Sequence, residues 1–216
     1  MKPVITKSTL SIIVFSIFCS VQTTFAQYAL GIQGGADWGS MSIADAPQGT
    51  MNKALPGSMF GLTAEMTLNE YLSITLRPAY VQKGTNQTLP PNYIPEAWTF
   101  HLSYIQFPIF MKFQIPLGAA SIYAIAGPNF AYLQSATVNE TLFEGYNYED
   151  DVKGIFKKYE FTTDAGIGFQ FKLTQSVRWD TDFRYSIGFE NINTAPWKGD
   201  SKTRSFQIWS GFAYLI

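Results

Sequence analysis

The sequence predicts an all-β protein, an eight-stranded antiparallel up-and-down transmembrane β-barrel with short periplasmic turns and four longer extracellular loops. Three observations carry this prediction. Apolar and polar residues alternate along eight segments, short and long connections alternate between the segments, and one face of each segment carries almost no charge. Because successive side chains of a strand point to opposite faces, each segment separates an apolar medium from a compartment that tolerates charge.

The clearest alternation is in the segment Ser176–Phe189, SVRWDTDFRYSIGF. One face of this segment is apolar and aromatic, and the other carries Arg178, Asp180, Asp182 and Arg184. The pattern fits a soluble barrel of the lipocalin type, with the core on one side and water on the other. It also fits a transmembrane barrel, with lipid outside and a polar lumen inside.

All eight segments show the two-residue period in the order in which they occur along the chain. The first four segments are Tyr28–Trp38, Ser58–Leu68, Tyr71–Gly84 and His101–Ile115. On the charge-bearing face, the first contributes Asp37, the second Glu65, the third Arg77 and Lys83, and the fourth Lys112. The last four segments are Ser121–Gln134, Tyr159–Leu173, Ser176–Glu190 and Thr203–Ile216. The first of these contributes no charge, the second contributes Glu160, Asp164 and Lys172, and the third contributes the four charges named above. In the last segment, Gly211 lies on the charge-bearing face.

The connections between the segments alternate in length. The short ones are Asn69-Glu70, the PLGAA stretch at residues 116–120, and Thr174-Gln175, all of hairpin length. The long ones are Gly39 to Gly57, Thr85 to Phe100, Ser135 to Lys158, and Asn191 to Lys202. An even strand count with short turns at one end and long loops at the other is the plan of a bacterial outer-membrane barrel.

Side-chain size assigns the charge-bearing face to the lumen, because the interior of an eight-stranded barrel is crowded and the exterior is not. Gly166, Gly168, Gly188 and Gly211 lie on that face. It also carries the acids Asp37, Glu65, Glu160, Asp164, Asp180 and Asp182 and the bases Arg77, Lys83, Lys112, Lys172, Arg178 and Arg184. From this set we predict a lumen charge network that closes the barrel, formed by Glu65, Arg77, Lys112, Asp164, Arg178, Asp180, Asp182 and Arg184.

Pro78, Pro108 and Pro128 interrupt three of the segments. Proline cannot donate a ladder hydrogen bond and is tolerated mainly on edge strands, which a closed barrel lacks. We expect β-bulges at these positions, with the strand phase slipping across them.

The N-terminus predicts export. Lys2 and Lys7 precede the apolar stretch 10–21, and Thr24-Phe25-Ala26 supplies a signal-peptidase site before Gln27. The expected domains are a secretory signal peptide, residues 1–26, and a β-barrel domain, residues 27–216. A lipoprotein signal ending at Cys19 is disfavoured because Phe18 stands where a small residue is needed. The formal net charge of −1 gives no basic footprint for nucleic acid.

Five stretches of the chain resemble the PorT-like outer-membrane β-barrel family of Bacteroidota. They are RPAYVQKG at Arg77–Gly84, YIQFPIFMKF at Tyr104–Phe113, YAIAGPNFAYL at Tyr123–Leu133, DAGIGFQF at Asp164–Phe171 and RYSIGFENI at Arg184–Ile192. The resemblance implies an eight-stranded barrel in the cell outer membrane, with outer-membrane lipid and the barrel-assembly machinery as partners. It brings no cofactor and no catalytic residue set.

Candidate sites outside the lumen are few. His101 and Ser103 are a close His/Ser pair, but no third orienting acid is evident, so no catalytic residue is assigned. The acidic loop Ser135–Lys158 lacks calcium-loop spacing, which favours a solvated loop over a metal site. The loop aromatics Tyr93, Trp98 and Trp197 are the ligand candidates, with membrane-interface anchoring as the alternative role.

Three functions are compatible with these observations. The favoured one is a membrane anchor or scaffold with a closed lumen, whose extracellular loops bind an unknown protein or saccharide. The alternatives are a small outer-membrane channel and a lipid-modifying enzyme acting at the loop end. We predict that the chain is not an enzyme and holds no cofactor or metal, since no catalytic constellation, phosphate loop or metal motif is present.

Overall fold

The computed structural model describes residues 27–43, 48–91, 96–141, 147–194 and 201–216. The predicted signal peptide, residues 1–26, lies outside the described residues, so its cleavage stays a prediction. No helix in the described ranges has the length and apolarity needed to cross a membrane.

Ten strands account for nearly all of the regular structure in the described ranges. They are β1 (Gln27–Ile43), β2 (Met51–Thr67), β3 (Leu72–Leu76), β4 (Ala79–Thr88), β5 (Ala97–Leu117), β6 (Ala120–Thr141), β7 (Asn147–Asp151), β8 (Tyr159–Lys172), β9 (Val177–Gly188) and β10 (Ser201–Leu215). A short 3₁₀ turn, Lys153–Ile155, lies between β7 and β8.

The strands close into a ring. Every pairing is antiparallel, and β1 pairs with both β2 and β10. β3 and β4 share one position between β2 and β5, and β7 pairs only with β6, so the ring has eight positions. The prediction of an all-β, eight-stranded antiparallel barrel is therefore confirmed.

Most strands extend further at the loop end than predicted, although β9 ends at Gly188 and not at Glu190. β6 continues to Thr141 instead of ending at Gln134, and β5 begins at Ala97 instead of His101. The short turns stay short: Leu117 pairs with Ala120, which leaves Gly118 and Ala119 as the loop. Gly118 has φ of 76°, the positive value that a two-residue hairpin turn requires and that glycine adopts without steric cost.

The expectation of bulges and phase slips at the prolines was wrong. Buried and exposed residues keep one alternation through Pro78, Pro108 and Pro128, although Pro78 separates β3 from β4. The register shifts lie elsewhere. One is between Leu55 and Met59 of β2, in its pairing with β4. The other is in the β5–β6 pair, where Gln134 of β6 is an extra residue opposite Ser103 and Tyr104 of β5. The ladder continues past two of the prolines through their carbonyl oxygens, since Arg77 donates its N–H to the Pro108 carbonyl at 3.1 Å and Leu62 donates its N–H to the Pro78 carbonyl at 2.9 Å.

The outer wall of the ring is apolar. Leu30, Phe60, Ile109, Ile167 and Phe212 are each more than half exposed, on five different strands. The residues that alternate with them are buried and largely polar. An exposed apolar surface of this extent is typical of a wall that faces lipid, and a polar interior completes the pattern of a transmembrane barrel.

Candidate functional site: the interior of the barrel

The turn-side layer of the interior is an ion-pair cluster centred on Glu65 of β2. Arg178 of β9 binds this carboxylate through both terminal nitrogens, at 2.6 and 3.1 Å, and Lys112 of β5 donates to it at 3.1 Å. Arg178 also donates to Asp180, two residues along the same strand face, at 3.0 Å. All four side chains are buried, and they join three different walls of the barrel.

A second cluster is centred on Asp182 of β9. Arg77 donates to its carboxylate at 2.5 Å, Arg184 forms a very short bond to it, and the Tyr123 hydroxyl donates at 2.9 Å. Gly168 makes room for this tyrosine, because a Cβ there would lie 2.5 Å from the ring.

Aromatic rings support the cations of the second cluster. The Arg184 guanidinium lies 4.9 Å from the Trp209 ring centroid, and both Arg77 and Arg184 lie over the Phe110 ring, at 5.9 and 5.0 Å. Guanidinium groups stack favourably on aromatic faces, so the excess positive charge of two arginines on one carboxylate is partly compensated.

Towards the loop end, the buried acids have mainly neutral partners. Asp164 accepts hydrogen bonds from Asn129, Thr162 and Ser186, at 3.1, 2.9 and 2.6 Å, instead of joining the ion-pair clusters. The predicted lumen charge network therefore comes together as two clusters, with Asp164 apart from both.

The same layer contains two more buried acids and one lysine. Asp37 accepts from Gln207 at 2.9 Å, and the Lys83 amine lies 3.7 Å from Glu160. Lys172, expected in the lumen, is exposed at the turn end, where β8 leaves the barrel. The described interior thus holds the six predicted acids but five of the six predicted bases, because the inward phase of a strand reaches solvent at its end.

An apolar plug fills the mouth of the barrel at the loop end. It comprises Met41, Phe100, Leu102, Tyr104, Ala131, Leu133, Ala136, Val138, Phe156 and Ile192, with Trp98, Val152 and Ile155 packed against it. The rings of Phe100 and Phe156 meet edge to face, 6.3 Å apart. The plug lies at the loop end of the interior, above the charged layers.

The plug corrects the interpretation of Ser135–Lys158 as a solvated loop. β7 pairs with the end of β6, and the segment 152–156 then folds back over the mouth, held by the Val152 N–H bond to the Ala136 carbonyl at 3.0 Å. Its acids Glu149, Asp150 and Asp151 are exposed, as expected. The signal that was missed is the group of apolar residues at 152, 155 and 156 within a charged loop.

The ligand candidates differ in their positions. Trp98 lies in β5, half-buried against the plug, so its placement on an exposed loop was wrong. Tyr93 and Trp197 lie outside the described residues. His101 is exposed on the outer wall, and Ser103, two residues along the same face of β5, is buried.

The geometry of the interior leaves little free space. A cavity beside Lys83, Thr85 and Tyr104 has a volume of about 10 Å³, enough for about one water molecule. No group of three or more histidine, cysteine, aspartate or glutamate side chains in the described part of the chain is arranged to hold a metal ion. The buried ion pairs and hydrogen bonds connect the strands across the interior.

Comparison with known proteins identifies the relatives of this barrel. The sequence matches the family described as outer membrane protein beta-barrel domain over residues 22–193. No curated protein matches the sequence. Among solved structures, it is similar to the outer membrane protein OprG from Pseudomonas aeruginosa, with 14% identity, a TM-score of 0.56, and coverage of 88% of this chain and 96% of that one. It is also similar to Neisserial surface protein A, with 15% identity, a TM-score of 0.50, and coverage of 86% and 97%.

The prediction that the chain is not an enzyme does not stand. The similar structures include the outer membrane protease OmpT from Escherichia coli, with 8% identity, a TM-score of 0.45, and coverage of 91% of this chain and all of that one. The fold by itself does not determine whether a protein is an enzyme.

Proposed function

The chain belongs to the outer membrane protein beta-barrel domain family and lies in the cell outer membrane, and from this premise we propose that it is a membrane anchor or scaffold with a closed lumen. The observation that carries the proposal is the filled interior. Two buried ion-pair clusters occupy the turn side, and an apolar plug occupies the loop side. A barrel filled in this way acts as a rigid support for what it presents outside.

Within the family, we propose that the chain is of the PorT-like subtype. Supporting this, several of the stretches that carry the resemblance contribute residues to the interior. Arg77 and Lys83 come from the first stretch, Lys112 from the second, Tyr123 from the third and Asp164 from the fourth. They contribute side chains to the charged layers of the lumen.

The β6–β7 hairpin is the element best placed to meet an external partner. It extends beyond the ring, and Tyr148 on it is 59% exposed beside the acids Glu149, Asp150 and Asp151. An exposed aromatic with carboxylates suits a protein or a saccharide as ligand. Tyr93 and Trp197 are proposed to contribute from the other loops, and Trp98 to support the site from below.

Membrane lipid and the barrel-assembly machinery complete the proposed partners. The outer wall offers lipid a continuous apolar surface. Phe212, Tyr214 and Ile216, at the end of β10, are each more than half exposed and form an aromatic and aliphatic stripe that suits recognition by the assembly machinery.

A photo-crosslinking experiment in intact cells tests the scaffold role. A photoreactive amino acid replaces Tyr148 on the hairpin, and a matched control carries it at Gln175 in the turn at the opposite end. A discrete adduct specific to position 148 supports presentation by the hairpin. Adducts that are the same at both positions, or absent at 148, contradict it.

A small channel is the second candidate function. It is favoured by buried polar atoms that have no hydrogen-bond partner in the described interior, including Asp37 Oδ1, Gln87 Nε2 and Gln106 Nε2. Such atoms prefer contact with water, as in a lumen that opens transiently. Entry of small sugars into proteoliposomes, followed by swelling, distinguishes the channel from the scaffold.

A further inference from the structure

The outer wall carries two neighbouring cations at the loop end of β10. Lys202 and Arg204 are exposed, and they alternate with the buried residues Ser201, Thr203 and Ser205. They therefore lie on the same face of β10 as the exposed Phe206 and Phe212. This is the face that lipid covers further down the strand.

Charge is otherwise absent from the neighbouring outer wall. The outward-facing positions of β1, β8 and β9, within the described residues, contain no aspartate, glutamate, lysine or arginine. The exposed acids of the β6–β7 hairpin lie elsewhere in the ring, because β8 and β9 separate β6 from β10. Within the described residues, the pair on β10 is thus a positive patch on an otherwise uncharged stretch of the outer wall, with Glu190 exposed just beyond the end of β9.

The patch stands immediately beyond a group of aromatic rings. Phe206 packs against Trp38 and Phe183, with ring centroids 6.2 and 6.5 Å apart. Arg204 is two residues further towards the loops, which is about 7 Å along a strand. Aromatic side chains concentrate where the membrane meets water, so Lys202 and Arg204 lie at the level of the lipid headgroups.

Neither cation has a protein partner in the described ranges. No carboxylate there lies within 4.0 Å of either group, whereas Arg77, Lys83, Lys112, Arg178 and Arg184 each have one. The flanking side chains on this face are Ile187 and Ser40, which pair with Arg204 in the ladder and carry no charge. A lone arginine beside a lysine at this level is suited to a phosphate, which accepts two parallel hydrogen bonds from a guanidinium.

We infer that Lys202 and Arg204 form a binding site for a phosphate group carried by a lipid of the outer leaflet. The site fixes the barrel against a lipid headgroup on the β10 side, while the apolar stripe below it contacts the acyl chains. The inference depends on the outer-membrane location and not on the closed lumen. The lipid site and the proposed scaffold function can therefore fail separately.

The test measures lipid binding by the purified full-length barrel. The protein in neutral detergent is titrated with bisphosphorylated lipid A, and the bound fraction is read by native mass spectrometry. Lys202→Gln with Arg204→Gln is compared with the wild type. The matched control is Lys172→Gln, which removes an exposed cation at the turn end. Unboiled gel migration confirms that each variant is folded before titration.

We expect the double variant to bind lipid A at least about tenfold more weakly than the wild type, since a single charge-assisted hydrogen bond already contributes roughly one order of magnitude in affinity. Lys172→Gln should bind as the wild type does, and Arg204→Lys should fall between the two because it keeps the charge and loses the two-pronged geometry. Equal affinity of the double variant and the wild type would overturn the proposal. If millimolar inorganic phosphate displaces lipid A from the barrel, the proposal that the bound phosphate belongs to a lipid is overturned, and the site is assigned to free phosphate.

Discussion

Asp182 shows how single residues hold this barrel together. Its carboxylate faces two arginines and one tyrosine hydroxyl, all buried. Removing the acid leaves two positive charges without a counter-ion in the interior. Removing Arg184 instead leaves an Asp182–Arg77 pair of zero net charge. The two substitutions therefore differ in their cost, although they break the same contact.

We predict that Asp182→Asn lowers the free energy of unfolding by about 3–5 kcal/mol, because it leaves uncompensated buried charge. Arg184→Met should cost clearly less. Asp150→Asn, in the exposed hairpin, should change stability by less than about 0.5 kcal/mol. Urea unfolding in detergent micelles, followed by tryptophan fluorescence, measures all three. An Asp182→Asn variant as stable as Asp150→Asn would refute the structural role of the cluster.

At the scale of elements, the alternation in the sequence was enough to place most strands but not their partners. The run Arg178 to Arg184 identified β9 and its inward charges, because a two-residue period is a local property. The pairing of Glu65 with Arg178 depends on the register of strands far apart in sequence, which one chain does not encode locally. The bulge at Gln134 was missed for the same reason, since its effect is visible only against β5.

The plug was missed for a different reason. Lys153 and Gly154 separate Val152 from the adjacent Ile155 and Phe156, and no period marks these three residues as buried. Only the return of the 152–156 segment over the mouth brings them onto Phe100 and Leu133. Composition predicted a solvated loop there, and tertiary packing outweighs composition when a few apolar side chains can reach a core.

The plug gives an element-scale prediction. Phe156→Ala removes the ring that packs on Phe100, and loss of a buried phenylalanine costs about 3–5 kcal/mol, enough to release a short segment locally. Trypsin should then cleave after Lys153 and Lys157 much faster than in the wild type, while the barrel stays folded in unheated gels. Phe212→Ala, on the lipid face, is the control and should leave the rate unchanged. An unchanged rate in Phe156→Ala would show that the segment is not held by the plug.

At the scale of the whole molecule, the fold follows from the separation of two faces. The outer wall is apolar, the interior is polar, and short turns lie at one end with longer connections at the other. These properties follow from composition and period, which is why the fold class could be predicted from the sequence. The function of the loops depends on a few side chains, of which Tyr93 and Trp197 lie outside the described residues.

Processing of the exported chain is a whole-molecule prediction. We predict that Thr24-Phe25-Ala26 directs cleavage before Gln27, the first residue of β1. Intact-mass analysis of the protein purified from outer membranes should give an N-terminus at Gln27. Phe25→Lys with Ala26→Lys should block cleavage and retain the precursor. A mature chain that begins with an acylated Cys19 would show that the signal is of the lipoprotein class.

The conductance of the purified wild-type barrel in planar lipid bilayers tests directly whether the lumen is closed. Two layers of buried ion pairs and an apolar plug stand in series along the interior, so an ion would have to displace paired charges to pass. We predict bilayers that contain folded protein yet show no steady single-channel current. A steady, solute-selective current from the wild-type protein would contradict the closed lumen and favour the channel.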